Sequence, residues 1–126
     1  MDMKLFRKVL LLQVYVWFIG GGICMHPASR IRANVTIFHG VTIGATRRGK
    51  FKGVPVIGNK VWIGSNATIV GKILIGNNVL IALNSYVNRD IPSHSICMGT
   101  SMTILARENA TENYIDNICK NLKDKY

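Results

Sequence analysis

Histidine and cysteine are the residues of this 126-residue chain whose side chains are most reactive near neutral pH. The histidines are His26, His39 and His94, and the cysteines are Cys24, Cys97 and Cys119. A neutral imidazole can take a proton from a hydroxyl or an amine, so each histidine is a candidate general base. The cysteines are odd in number and widely spaced, unlike those of a zinc site or a disulfide framework. We therefore expect reduced thiols in a cytoplasmic protein without a bound metal.

The net charge indicates the class of partner. The chain carries a formal charge of +10 at pH 7, which favours a nucleic acid, an anionic membrane surface or a phosphorylated small molecule. Nucleic-acid binding is typically accompanied by aromatic residues interleaved with the basic ones, or by a known module. Neither is visible, so we expect no nucleic-acid partner.

A repeat between Val56 and Val87 must position these residues. A branched aliphatic recurs there every six residues, at Ile57, Ile63, Ile69, Ile75, Ile81 and Val87. A small or branched residue stands two positions before each next aliphatic, so each hexapeptide sends two side chains inward. Helices need a period near 3.6 and hairpins need turn signals between strands, whereas a parallel β-helix with three hexapeptides per coil explains the spacing. The glycines of the repeat, Gly58, Gly64 and Gly76, are expected to help the chain bend at the corners.

An excursion loop interrupts the repeat. The register extends backwards through Ile43, Ile37, Ile31, Met25 and Ile19, so coiling is predicted to begin near residue 19. Ile43 and Ile57 are fourteen residues apart, which leaves eight residues beyond one hexapeptide for a loop at about 45–55. A solvated insertion is one interpretation of this basic, glycine-containing loop. We favour a ligand-binding loop, because an insertion in so regular a solenoid needs a reason.

Residues 1–18 are predicted to form a separate N-terminal cap. Three basic residues, Lys4, Arg7 and Lys8, precede an apolar run from Val9 to Ile19 that imitates a secretory signal. No small-x-small cleavage site follows, and the run is short for a bilayer span. The apolar positions also fit one helical face, so a short helix is the expectation. Contact of residues 5–19 with a membrane surface is the less favoured alternative.

The repeat decays after Pro92, and the segment from Ser93 to Gly99 is expected to be the last strand leaving a solenoid domain of residues 19–105. Residues 106–126 are predicted to be a helix. Its apolar residues Tyr114, Ile115, Ile118 and Leu122 fall on one face. Such a helix would cover the open end of the solenoid and its strand edges.

Several segments together resemble the left-handed β-helix acyltransferases, in the serine acetyltransferase-like branch that includes polysaccharide O-acetyltransferases. They are His26-Pro27-Ala28, residues 37–44 (IFHGVTIG), 57–64 (IGNKVWIG), 75–82 (IGNNVLIA) and 84–87 (NSYV). The resemblance covers roughly residues 19–100. It implies an all-β, left-handed parallel β-helix fold. It also implies acetyl-CoA-dependent transfer to a hydroxyl of serine or of a sugar or polysaccharide precursor, in clefts between the subunits of a homotrimer.

The resemblance also implies roles for single residues. His39 stands two positions after the inward Ile37, where the serine acetyltransferases carry their catalytic histidine, so we assign it as the general base. A surface histidine that donates to a neighbouring coil is the alternative. His26 resembles a positioning His-Pro histidine, and with Cys24 and Phe38 it is assigned to substrate binding. His94 is expected to be merely exposed.

Ten residues are assigned to the coenzyme by the same resemblance. The backbone of Ala45 and Thr46 corresponds to the Gly-Thr that meets the thioester, and the basic loop is expected to attract the phosphates. The full set is Ala45, Thr46, Arg47, Arg48, Lys50, Lys52, Gly64, Ser65, Ala82 and Leu83. Small corner residues that any hexapeptide coil needs are the alternative for the neutral members.

The chain also departs from the family pattern. Phe38 and Cys24 stand where serine acetyltransferases carry acidic residues. A second alignment, shifted by one coil, places Ile19 at the position of the catalytic histidine, and under it the base is missing. The N-terminal part looks shortened. A catalytically weakened or inactive relative that acts as a binding or scaffold solenoid is therefore the alternative function.

A narrow solenoid leaves apolar side chains on its outside, and a neighbouring copy can cover them. The side chains expected at such an interface are Phe38, Trp62 and Tyr86. They agree with a homotrimer whose other partners are acetyl-CoA and a small-molecule acceptor.

Overall fold

The structure is a computed structural model that describes residues 10–16 and 22–115. Within these ranges the chain forms twelve strands and no helix. The strands are β1 (Leu10–Val16), β2 (Cys24–Met25), β3 (Arg30–Ile37), β4 (Thr42–Gly44), β5 (Val56–Ile57), β6 (Val61–Ile63), β7 (Thr68–Val70), β8 (Leu74–Ile75), β9 (Val79–Ile81), β10 (Tyr86–Val87), β11 (Ser95–Met98) and β12 (Thr103–Ala106). Among the described residues we find no helix with the length and apolarity needed to cross a bilayer.

The strands stack in parallel on three faces of a solenoid. The first face holds the start of β3, then β5 and β8. The second face holds the end of β3, then β6, β9 and β11, while the third face holds β2, β4, β7 and β10. Ile57 pairs with Ile75 and Ile63 pairs with Ile81, one coil of three hexapeptides apart. This is the predicted all-β parallel β-helix, of the left-handed class.

The core is a set of stacked aliphatic columns along the solenoid axis. Every repeat aliphatic from Ile57 to Val87 is fully buried, and the second inward residues are buried as well. A fully buried isoleucine contributes roughly 1.5–3 kcal/mol relative to an exposed one. The inward pattern is therefore confirmed. Ile91, expected as a second inward residue, instead lies beside Ile75, because the last coil is two residues shorter.

The corners bend at residues other than those expected. At the corner between the first and second faces, one residue in each coil has a left-handed backbone conformation. These residues are Asn34, Lys60, Asn78 and His94. Gly58 and Gly76 are not among the residues with positive φ. A Cβ on Gly76 would lie 2.5 Å from the Ser93 nitrogen, and one on Gly58 would lie 2.6 Å from the Gly76 carbonyl oxygen. These glycines therefore permit close stacking of coils, and the expectation that they bend the chain is wrong.

The N-terminal strand replaces an expected helix. β1 pairs in parallel with β3, from Leu10 beside Arg30 to Val16 beside Ile37, with an irregularity after Gln13. A helix over residues 1–18 is therefore wrong for residues 10–16, and the stacking begins before residue 19. Residues 1–9 and 17–21 lie outside the described residues.

The C-terminal part stays in the stack and then turns back. β11 pairs in parallel with β9, with Cys97 beside Ile81, so the expectation that this strand leaves the solenoid is wrong. β12 adds an antiparallel strand to β11. Residues 107–115, which we call the return segment, then form successive turns. The helix predicted over 106–126 is wrong for residues 106–115, and its remainder lies outside the described residues.

Asn78 fastens the return segment to the solenoid. Its side-chain nitrogen donates to the Glu108 carbonyl at 2.5 Å and lies 2.9 Å from His94 Nδ1. Its side-chain oxygen accepts from the Thr111 hydroxyl at 2.6 Å and from the Thr111 amide at 3.3 Å. Asn78 is 8% exposed and Thr111 is fully buried, so each of these groups depends on its protein partner.

Asn78→Gly tests this attachment, since glycine accepts the positive φ of 55° and only the side chain is lost. Leaving the buried Thr111 hydroxyl unpaired should lower the free energy of unfolding by about 1–3 kcal/mol in urea titrations. In a Trp17→Phe background, Trp62 emission should shift to the red. The control Asn84→Gly removes an exposed asparagine with φ 60°, and equal losses in both variants would contradict the attachment.

Burial raises the pKa of the Cys97 thiol, and the charge of Arg89 lowers it to a smaller extent. Cys97 points into the core, whereas Cys24 is exposed. The unfolded chain ionises this thiol first. The contribution of Cys97 to the free energy of unfolding is therefore fully present below the ordinary thiol pKa. It is lost as the pH rises through the raised pKa of the folded protein.

In a Cys119→Ser chain we expect one thiol, Cys24, to react with a disulfide reagent at neutral pH, because the thiolate is the reactive form. The second thiol should react only in denaturant. Prompt reaction of two thiols in the native protein would show that Cys97 is not shielded.

Candidate active site

His39 lies where the chain turns from the second face to the third, directly after β3. Its imidazole is half-buried, and Nδ1 is buried without a hydrogen-bond partner. The Asn66 amide of the next coil donates to the His39 carbonyl at 3.1 Å. Gly40 follows with φ 74°, and a Cβ there would overlap the Asn66 side chain. The glycine therefore lets the next coil lie directly against the histidine turn.

The predicted residues Ser65 and Leu83 stack on His39. The Asn84 amide donates to the Ser65 carbonyl at 2.9 Å, which repeats the Asn66 contact one coil further on. One residue earlier in each coil, a second column is formed by Phe38, Gly64 and Ala82. The backbone amide of each donates to a carbonyl in the strand of the next coil. We call these six residues the histidine corner. The solenoid thus brings together the predicted base, four of the residues predicted to bind the coenzyme and one predicted substrate residue.

The other residues predicted to bind the coenzyme lie at a different corner. Ala45, Thr46 and the basic loop leave the solenoid where the third face turns into the first. Thr46 and Gly53 exchange two backbone hydrogen bonds, of 3.0 and 2.9 Å, so the predicted excursion is a closed hairpin. The Lys72 amide donates to the Phe51 carbonyl at 2.7 Å and holds the hairpin against the next coil. We call this the loop corner. Strand β4 on the third face separates it from His39.

The predicted substrate residues are dispersed. Phe38 belongs to the histidine corner, and Cys24 pairs with Thr42 on the third face, where it is exposed. His26 lies towards the loop corner, where its amide donates to the Ile43 carbonyl and its Nδ1 accepts from the Ala28 amide. A single chain therefore does not gather Cys24, His26 and His39 into one pocket.

His39 can transfer a proton, but no carboxylate of the described residues orients its imidazole. The acidic residues of the described chain are Asp90, Glu108 and Glu112. Asp90 accepts from the Leu74 amide on the first face, and the two glutamates belong to the return segment. Among the described residues, Nδ1 of His39 has no hydrogen-bond partner that orients the imidazole. Within the described ranges no three His, Cys, Asp or Glu side chains are grouped to hold a metal.

Two of the three apolar side chains expected at a trimer interface are covered by their own chain. Trp62 is 9% exposed, with its ring 5.0 Å from those of Phe38 and Tyr114. Ile115 completes the cover. Tyr86 remains exposed on the third face, and Leu83 is exposed at the histidine corner. The sequence did not predict that the return segment covers Trp62, because the apolar residues of this segment also fit a helix.

A half-open groove of about 660 Å³ lies between the return segment and the second face, beside the histidine corner. Leu80, Ala82, Ile96 and Met98 form its floor, and Tyr114 forms part of its wall. The repeat pattern gave no signal for it, since these side chains point outward.

Comparisons with known proteins agree with this arrangement. The bacterial transferase hexapeptide family (six repeats) matches residues 55–89. A serine acetyltransferase of Helicobacter pylori is 37% identical over 91 residues, which cover 71% of this chain and 52% of that protein.

Solved structures give the same result. Neisseria gonorrhoeae serine acetyltransferase in complex with serine superposes with a TM-score of 0.66 at 33% identity, covering 79% of this chain and 40% of that one. Brucella abortus serine acetyltransferase in complex with coenzyme A gives a TM-score of 0.65 at 28% identity, covering 75% and 37%. This chain therefore spans about half, or less, of the length of these relatives. The stacked coils and these likenesses show that it is a hexapeptide-repeat protein similar to the serine acetyltransferases.

Proposed function

We propose that the chain is an acetyl-CoA-dependent O-acetyltransferase whose acceptor is a hydroxyl of serine or of a sugar or polysaccharide precursor. The observation that carries the proposal is the column of His39, Ser65 and Leu83 at one corner of the solenoid. The relatives named above are serine acetyltransferases, and among them are complexes with serine and with coenzyme A.

The residues of the histidine corner suit acyl transfer. His39 takes the hydroxyl proton as the acceptor oxygen attacks the thioester carbonyl, and a tetrahedral oxyanion forms. The carbon–sulfur bond then breaks, coenzyme A leaves as a thiolate, and the imidazolium returns the proton to that sulfur. Of the two residues assigned to the thioester, Ala45 is the candidate whose backbone amide could stabilise the oxyanion, because the Thr46 amide already donates to the Gly53 carbonyl.

A homotrimer would complete the site. His39 and the basic loop occupy different corners of one chain, with β4 between them. Packing the histidine corner of one subunit beside the loop corner of the next would bring the base and the phosphate-attracting cations to one cleft. Exposed Leu83 and Tyr86 are available for such packing.

A binding or scaffold solenoid is the second candidate. The unpaired Nδ1 of His39 favours it, because a catalytic imidazole is usually oriented by a partner at its second nitrogen. Ile19, which the shifted alignment places at the base position, lies outside the described residues.

His39→Ala separates the two candidates. Because the side chain lies outside the aliphatic columns, the stabilisation of the fold by acetyl-CoA should be nearly unchanged. Turnover of a serine and sugar acceptor panel should fall by about two to four orders of magnitude. His94→Asn, which also removes an imidazole and tolerates the positive φ, should keep its turnover. Equal turnover in wild type and His39→Ala would reject His39 as the base.

The loop makes a second prediction. Neutralising Arg47, Arg48, Lys50 and Lys52 with glutamine should reduce the rise in melting temperature that acetyl-CoA causes by mass action. The difference from wild type should shrink at high salt, because exposed charges act through a screened field. The control neutralises Arg32, Lys60 and Arg107, which lie away from the loop corner, and it should reduce the response much less for each charge removed.

Mixing tests whether the site lies between subunits. If it does, unfolding and refolding inactive His39→Ala together with the loop variant should restore part of the activity, since some clefts regain both intact corners. If the mixed oligomers regain no activity, His39 and the basic loop act within one chain.

A further inference from the structure

The side-chain amide of Asn78 has one orientation that satisfies its partners in the return segment. The Thr111 backbone amide donates to it at 3.3 Å, so the Asn78 atom that faces this amide must be the oxygen. The Glu108 carbonyl accepts from it at 2.5 Å, so the atom that faces this carbonyl must be the nitrogen. Because a backbone N–H only donates and a carbonyl only accepts, these two contacts fix the amide independently of His94.

This orientation determines the protonation state of His94. The Asn78 nitrogen, which carries two hydrogens and cannot accept, lies 2.9 Å from His94 Nδ1. Nδ1 must therefore accept. A neutral imidazole with its proton on Nε2 can do so, whereas an imidazolium donates from both nitrogens and cannot. His94 is exposed, so a proton can reach it from solvent while the solenoid stays folded.

Turning the Asn78 amide over would not restore the contacts. Its oxygen could then accept from a protonated Nδ1, but that oxygen would face the Glu108 carbonyl and the nitrogen would face the Thr111 amide. An acceptor would oppose an acceptor and a donor would oppose a donor. Since Thr111 is fully buried, its amide would lose its partner without gaining another. Protonation of His94 therefore weakens the attachment of the return segment in either orientation.

Few other groups around His94 change charge near neutral pH. The return segment lies against this corner, and the Arg107 amide donates to the His94 carbonyl at 2.7 Å. The charged residues on the described elements packed here are Lys60, Arg107, Glu108 and Glu112. Carboxylates titrate mainly below about pH 5, and lysine and arginine keep their charge. Between about pH 5.5 and 7.5 the imidazole is therefore the group of this set that titrates.

We propose that His94 is a proton-sensitive latch for the return segment, closed while the imidazole is neutral and released when it is protonated. Release uncovers Trp62, which Tyr114 and Ile115 shield in the closed state. It also removes one wall of the groove beside the histidine corner. The latch does not depend on the proposed acyl transfer, because Asn78 and His94 lie at a different corner from His39 and the loop.

Amide hydrogen exchange measured by NMR between about pH 5.5 and 7.5 tests the latch. The protection factor of the Thr111 amide, which corrects for the intrinsic effect of pH on exchange, should fall about tenfold at the acid end, since one hydrogen bond is worth roughly that factor. The Gly64 amide, which donates to Ile81 inside the solenoid, should keep its protection. In a Trp17→Phe chain, Trp62 emission should shift to the red over the same range.

His94→Asn is the variant that removes the switch and keeps the contact. Asparagine tolerates the positive φ of 57°, and its Oδ1 can accept from Asn78 at any pH, so Thr111 protection should become independent of pH. The matched control is His26→Asn. The His26 Nδ1 also accepts, from the Ala28 amide, but it lies away from the return segment, so this variant should keep the pH dependence of wild type.

Three results would overturn the proposal. Thr111 protection in wild type might not change with pH, or it might fall equally in wild type and His94→Asn, and in both cases His94 does not control the attachment. A parallel fall at Gly64 and Thr111 would show that acid destabilises the whole solenoid rather than releasing the return segment.

Discussion

Close stacking of successive coils is the constraint on which this structure depends. Parallel strands in neighbouring coils lie about 4.8 Å apart, so every side chain has a counterpart directly above or below it. Inward positions must then be aliphatic in every coil, as the fully buried column from Ile57 to Ile81 shows. Where the turns of two coils meet, even a methyl group is too large. Gly58 and Gly76 occur at such points because a Cβ would come within 2.6 Å of the next coil.

The same stacking determines which side chains lie together and can contact one ligand. The carbonyls of His39 and Ser65 accept from amides of the next coil, so the backbone of the column that runs from His39 through Ser65 to Leu83 is fixed. A rigid column cannot reach across a face, and the loop remains at its own corner. Reactive and charged groups are therefore distributed around the solenoid, and a shared cleft requires a second subunit.

The return segment distinguishes one face from the other two. It places Tyr114 and Ile115 over Trp62, held by the fully bonded Asn78, and so removes a large aromatic surface from solvent. Exposed apolar side chains remain at Leu74 on the first face, Leu83 at the histidine corner and Tyr86 on the third face.

The sequence by itself determined the solenoid, its inward residues and the position of the excursion loop. A six-residue period is a local signal, repeated often enough that chance cannot produce it, and each inward residue makes the same contact in every coil. Two expectations failed for one reason: Leu10–Val16 and the residues after Ala106 have apolar spacings that fit a helix as well as an extended chain. Only tertiary contacts, the pairing of β1 with β3 and the hydrogen bonds of Asn78 to Glu108 and Thr111, decided between these conformations. The separation of His39 from the basic loop was likewise decided by the tertiary structure, because distance around a coil depends on which face each hexapeptide occupies.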